Sequence, residues 1–207
     1  MNTSNNYAVV DFCDTLYYGQ SLEDFIKYCF SRTSRYTLRR AFLKLNKKKY
    51  LNSRDYYAAH LRSLKIDANE IEILYQGFFR DVVVEKLNYQ LIQLLKEKKY
   101  KNIIIASGAL NGYLKFLTEY LDIHSIISTH VTIERRNIYL DNKMCVGEEK
   151  KRRVLEQFPT LGVQLSYDMY TDSLHDLPLL NSARECYIRK INGILWDRHL
   201  DEYYEIT

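Results

Sequence analysis

A chain of 207 residues that is 46% hydrophobic, with two prolines and seven glycines, suits one domain, or a main domain with an insertion. That balance indicates neither disorder nor a repeat array. A net charge of +4 limits any polyanion-binding role to a local patch. No stretch approaches the roughly 20 apolar residues that span a bilayer. Met1 to Asn6 carries no basic region, so a cytoplasmic protein is expected. Cys13, Cys29, Cys145 and Cys186 form no Cys-x-x-Cys pair, which argues against a zinc knuckle and a disulfide scaffold.

The first element is an apolar run at Tyr7-Ala8-Val9-Val10 set against Asp11-Phe12-Cys13-Asp14-Thr15-Leu16. Such a run suits a strand covered on both faces, as in a parallel sheet between helices. Ligands bind such sheets at the carboxyl ends of the strands, where Asp11 would stand. Asp is equally a common residue for opening a turn. Ser21 can cap a following helix through Phe25, Ile26 and Cys29, with Asp24 as a weak capping-box acid.

From there to about Lys99 the pattern is helical throughout. Between Arg32 and Lys65 the bases Arg32, Arg35, Arg39, Arg40, Lys44, Lys47, Lys48, Lys49, Arg54, Arg62 and Lys65 are opposed by Asp55 alone. Such a face is either a solvated helix surface or an attractor of phosphates, nucleic acid or an anionic membrane. Tyrosines at 28, 36, 50, 56, 57, 75 and 89 suit packing better than base stacking.

A second buried strand, Tyr100 to Gly108, ends on Ser107-Gly108. Asn111-Gly112 leads into a helix through Tyr113, Phe116, Leu117 and Tyr120, and Ile126 to Thr129 is a third strand. Strand, helix, strand implies a parallel right-handed crossover. Val131 to Leu140 alternates as a hairpin or edge strand with Arg135-Arg136-Asn137 as its turn, and a helix starts near Gly147 and runs to the break at Pro159. Leu165 to Tyr170 is a fourth strand, ending on Thr171-Asp172-Ser173-Leu174-His175-Asp176; Glu185 to Arg189 is a fifth.

Four segments thus bring short polar groups to one sheet edge: Asp11, Ser107 with Gly108, Lys150, and Asp172 with Asp176. This set resembles the four motifs of the haloacid dehalogenase superfamily, in their order. Asp11-Phe12-Cys13-Asp14-Thr15-Leu16 matches the first motif, Ile103 to Gly108 the second, and Lys150 the third, with Lys151 competing. Thr171-Asp172-Ser173-Leu174-His175-Asp176 matches the fourth, with Thr171 in place of glycine. Leu177-Pro178-Leu179-Leu180 and a helical insertion behind the first motif are similar to the phosphoserine-phosphatase-like branch.

The resemblance implies an α/β fold, a doubly wound, mainly parallel sheet with an inserted helical cap. It divides the chain into a core of 1–16 plus 97–207 and a cap of 17–96. It also implies a phosphohydrolase in which Asp11 forms an aspartyl-phosphate. Mg²⁺ would be held by Asp11, the carbonyl of Cys13 and Asp172, with Asp176 in support. Ser107, the Gly108 amide and Lys150 would hold the phosphoryl group.

The family's phosphatases carry a second aspartate where this chain has Cys13. A protonated thiol is a weak donor and no general base. Three outcomes follow: a slow phosphatase or one whose substrate has a good leaving group, a phosphotransferase, or a phosphate-binding regulator. The first is preferred, because nucleophile, metal ligand, hydroxyl and lysine are all present. A phospho-receiver domain fits the order of motifs poorly, and nucleic-acid binding through the basic helices would have to weaken steeply with salt. The basic cap suggests an anionic phosphorylated small molecule, such as a nucleotide, a sugar or a lipid phosphate at a membrane surface.

Overall fold

The computed structural model describes residues 7–32, 53–157, 166–189 and 204–206. Six strands form one parallel sheet, β1 (Tyr7–Val10), β2 (Asn102–Leu110), β3 (Ile123–Thr129), β6 (Tyr167–Thr171), β7 (Glu185–Arg189) and β8 (Tyr204–Ile206). Their order across the sheet is β3-β2-β1-β6-β7-β8. The sheet is doubly wound: β2 and β3 run outward on one side of β1, and the chain then crosses to β6 on the other. This reversal puts the topological switch point between β1 and β6, the place where such sheets bind ligands.

β1 is central because it can be buried twice. Ala8 and Val10 face the helices α1 (Ser21–Arg32), α3 (Ala68–Phe78) and α4 (Tyr89–Lys98), while Tyr7 and Val9 face α6 (Gly147–Gln157) and α7 (Leu177–Leu180). All four are 2% exposed or less, which explains a continuous apolar run in place of alternation. In register, Val10 pairs with Ile105 on one side and Tyr170 on the other.

The helices behind the first strand read as expected from their periodicity. In α1 the buried Leu22, Phe25, Ile26, Cys29 and Phe30 make one stripe, with Glu23 and Asp24 at the positive end of the dipole. Ser21, however, is the first helical residue and not a cap; its hydroxyl bonds Cys13 and Tyr113. Nor is Asp24 a capping acid, since it accepts from Tyr17, Lys27 and Lys86. The helix α2 (Ser53–Leu64) follows, and α3 opens on a capping box, Asp67 with Glu70.

Several boundaries differ. β2 runs two residues past Gly108, to Leu110, and the helix expected from Asn111 to Tyr120 is a four-residue α5 (Asn111–Leu114) followed by a 3₁₀ turn. Gly112 permits that tight start: a Cβ there would fall 2.0 Å from the Tyr75 ring. β3 starts at Ile123, earlier than Ile126, because the edge strand still pairs with β2 there. β4 (Val131–Glu134) and β5 (Asn137–Leu140) form the hairpin, with Arg135 and Arg136 in the left-handed region at φ of 45° and 66°. Two left-handed residues match a two-residue hairpin turn.

The basic stretch is less free than its composition suggests. Residues 35 to 49 lie outside the described residues. Arg32 pairs with Asp81, Arg54 with Asp55 and the carbonyls of Leu140 and Asp141, and Arg62 lies over the Tyr139 ring. Asp55 is therefore not the sole counterion, because the fold brings Asp81 in from a distant helix end. Among the described residues, no helix is long and apolar enough to cross a membrane.

Candidate active site

The chain leaves β1 through a tight loop. The amide of Asp11 donates to the Tyr170 carbonyl at 2.8 Å, extending the β1–β6 pairing by one residue and fixing the carboxylate at the switch point. The loop then turns on Asp14, whose φ of 53° directs its side chain to Gln20. Asp14 accordingly does not line the cavity, and it does not take the place of Cys13. At the end of β6, Thr15 donates to Asp172 Oδ1 at 3.0 Å, joining the first and fourth motifs.

Lys150, not Lys151, is the lysine that reaches this edge. Its ammonium donates to Asp11 Oδ1 at 3.0 Å and to Asp176 Oδ2 at 2.8 Å, and lies 2.7 Å from Asp176 Oδ1 without an aligned hydrogen bond there. Thr171 donates to Asp176 Oδ2 at 2.7 Å. That hydroxyl is what threonine adds where the family motif has glycine.

All three charged groups are buried, with side chains 7% exposed or less. Burial is the main force raising Asp11, to about 7; Lys150 opposes it, and Asp176 and Asp172 add to it. Burial would also discharge Lys150, but Asp11 and Asp176 outweigh it and hold the ammonium above the ordinary lysine range. Asp172 is raised by burial as well, against the bond from Thr15. The site therefore carries more carboxylate than one lysine satisfies.

β2 loses its ladder here. The register slips between Ala106 and Leu110, so Ser107 to Ala109 bulge from the pairing with β3. The Ser107 hydroxyl is buried and accepts from the Ala109 amide at 3.3 Å, leaving its own proton to give. A Cβ on Gly108 would fall 2.9 Å from Val146, so glycine lets the segment before α6 close over the bulge.

Cys13 sits at the end of a hydrogen-bond chain. The Leu110 amide donates to the Tyr113 hydroxyl at 3.2 Å, the Tyr113 and Ser21 hydroxyls share a hydrogen bond at 3.0 Å, and Ser21 and the Cys13 thiol share one at 3.1 Å. Burial, and next the Asp11 carboxylate, push the thiol up to about 12.

Asp11, Cys13, Ser107, Gly108, Lys150, Asp172 and Asp176 all line one cavity of about 430 Å³. Ser53 and Tyr57 of α2, with Leu22, Met144, Val146 and His175, also line it. Apart from His175, which lies inside the fourth motif, these residues carry no motif; they come from helix faces and connections that only the fold brings to the sheet edge. Arg189 is a further residue that sequence reasoning missed: it donates to the Asp14 carbonyl and stacks 4.4 Å over the Tyr18 ring, bracing the loop. Its position as the last residue of β7, on the same edge as Asp172, was the available signal.

A family model described as haloacid dehalogenase-like hydrolase matches residues 8–181. The chain belongs to that family of hydrolases. Among solved structures, a protein of unknown function from Bordetella pertussis Tohama I superposes with a TM-score of 0.76 at 17% identity, over 99% of both chains. A phosphoserine phosphohydrolase-like protein from Francisella tularensis subsp. tularensis SCHU S4 gives 0.62 at 19% identity, over 98% of this chain and 94% of that one. A substrate-bound phosphoserine phosphatase gives 0.55 at 13% identity, covering 91% and 87%. At these identities the likeness concerns the fold. No curated protein matches the chain.

Proposed function

We propose that the protein is a magnesium-dependent phosphohydrolase working through an aspartyl-phosphate on Asp11. The observation that carries this reading is the position of Asp11: a buried carboxylate at the switch point, on the floor of the cavity, with one oxygen held by Lys150 and the other without a hydrogen bond from the described residues. That free oxygen attacks phosphorus, the bond to the leaving oxygen breaks, and the leaving oxygen takes up a proton. Water then cleaves the acyl phosphate and restores Asp11.

The residues fit a magnesium ion. Among the described residues no three His, Cys, Asp or Glu side chains form a metal cage, and magnesium needs none. It leans on one or two carboxylates and phosphate oxygens and keeps several waters. Asp11, the Cys13 carbonyl and Asp172 would hold it, and their excess of carboxylate calls for such a cation. When bound it would offset the repulsion between Asp11 and the phosphoryl group.

Ser107 and the Gly108 amide donate to phosphoryl oxygens, and Lys150 adds positive charge. Asp176 acts through Lys150, holding the ammonium toward Asp11. The Cys13 thiol donates a weak hydrogen bond toward the leaving oxygen and does not activate water. A good leaving group is therefore favoured, and an aspartyl-phosphate awaiting water without base help is open to an alcohol acceptor, which is the phosphotransferase reading. Residues 1–16 with 97–207 serve as core and 17–96 as cap. α4 crosses the boundary between the two ranges, and its last residue, Lys98, donates to Tyr187 of β7.

The test is magnesium-dependent hydrolysis of an aryl phosphate by wild type, Asp11→Asn and Cys13→Asp. Wild type and Cys13→Asp should turn over and Asp11→Asn should not. Inactivity of all three with intact folding would rule the proposal out.

A further inference from the structure

Among the described lining residues, charged groups are confined to the carboxyl edge of the sheet. Asp11, Asp172 and Asp176 lie there, and Lys150 is the only lysine or arginine among the described lining residues. Its ammonium is already divided between Asp11 and Asp176. Arginines on neighbouring elements are committed: Arg54 to Asp55 and two carbonyls, Arg153 to Glu149 and the carbonyls of Ser128 and Lys143, Arg189 to the Asp14 carbonyl. Once Lys150 meets the phosphoryl group, His175 is the one basic side chain of the described lining left for a carboxylate or second phosphate on the leaving alcohol.

The wall is of the opposite character. Leu22, Tyr57, Met144 and Val146 are its apolar part, beside the uncharged polar Gln20, Ser53 and Ser173. Val146 is 46% exposed, and Leu174, next to the lining residues Ser173 and His175, is 51% exposed. Large apolar side chains left in water around the mouth of a cavity gain most when a ligand covers them. The Tyr57 hydroxyl interacts with Glu23 of α1, so the phenol's polar end has a partner on that helix while Tyr57 also lines the cavity.

We infer that the substrate is the phosphate monoester of an uncharged alcohol with an aromatic or branched aliphatic body, which packs on Leu22, Tyr57, Met144 and Val146. This rests on the phosphohydrolase reading and narrows it, on the described lining, to a substrate whose charge lies in the phosphoryl group.

The experiment compares kcat/KM of the full chain with magnesium for 2-phenylethyl phosphate and 3-methylbutyl phosphate against phosphoserine and glycerol 3-phosphate, all esters of alkyl alcohols. The apolar esters should be preferred by about tenfold or more. Tyr57→Ala should lose about tenfold on 2-phenylethyl phosphate, mainly in KM, and Tyr57→Phe should retain the preference. Met144→Lys should shift the preference toward phosphoserine. Equal or better use of phosphoserine by wild type, with Tyr57→Ala affecting all esters alike, would overturn the inference. Calorimetric binding of 2-phenylethylphosphonate against 2-amino-4-phosphonobutanoate separates the two readings. Preference for the former without turnover of any ester would sink the hydrolase and keep the apolar site; equal binding would sink the apolar site.

Discussion

At the scale of single residues, the site depends on a buried lysine between two carboxylates. Removing one member of such a group leaves the others without compensation, at about 3–5 kcal/mol. Lys150→Ala should therefore lower stability by about that amount in urea denaturation, whereas Lys151→Ala, on the half-buried neighbour, should change it little. A loss below 1 kcal/mol for Lys150→Ala would contradict the arrangement. Cys13 makes a different prediction. Cys13→Asp restores a carboxyl that can protonate a poor leaving group, so kcat/KM on an alkyl phosphate should rise by about 10²- to 10⁴-fold, and on an aryl phosphate far less. Equal gains on both would show that the thiol is not what limits departure of the alcohol.

Much of this site was legible because its chemistry is carried by residues with few alternatives. A carboxylate at the end of an apolar run, a hydroxyl next to glycine and two acids four apart are visible as types and spacings. Long-range partners were not legible. Ser21 has the composition of a cap, and only the fold shows its hydroxyl set between Cys13 and Tyr113, the latter from far along the chain. The lining from α2 was equally hidden, since a helix face that touches a cavity has the same periodicity as one that touches core.

At the scale of elements, α6 carries the lysine and is itself held by charge. Bonds from Arg152, then Arg153, hold Glu149 down at about 2, against an ordinary 4.5. A depressed acid contributes stability that is present above its ordinary value and lost as pH falls toward the folded one. The melting difference between wild type and Glu149→Gln should thus be constant above about pH 5 and close between about 4.5 and 2. A gap that persists at pH 2 would contradict this. α5 makes a steric prediction: with the Tyr75 ring 2.0 Å from a Cβ on Gly112, Gly112→Ala should cost about 1–3 kcal/mol in urea, and Tyr75→Leu in the same chain should recover part of it. The helix expected through Tyr120 was misread at this scale. Its apolar spacing was right, but spacing does not separate a regular helix from a short turn followed by a 3₁₀ segment.

At the scale of the whole molecule, core and cap are not loosely joined. One hydrophobic cluster contains Val10, Ile105 and Tyr170 of the sheet together with Phe25, Leu61, Tyr75 and Phe78 of the helices. Arg136 adds a polar tie, donating to Asp67 and Glu70 at the start of α3. Unfolding should be a single transition, with far-ultraviolet and near-ultraviolet circular dichroism coinciding in urea. Two separated transitions would mean that the helices of the cap range melt independently. Alternating strands and helices implied the parallel crossover and the family resemblance the doubly wound order, while the sheet's outer edge, β8, was not anticipated: Tyr204 to Ile206 is too short to stand out from the sequence around it.

The centre of the sheet also sets the order of events when the chain is made. β1 is made before either of its neighbours: Tyr7 pairs with Asn102 and Tyr167, so the strand waits for both segments to be synthesised. Long-range parallel pairing of this kind folds slowly, and an apolar strand waiting for both partners is exposed to association with other chains. The same two-sided burial that fixes Asp11 at the switch point therefore makes β1 a segment in need of a chaperone while the chain is being made.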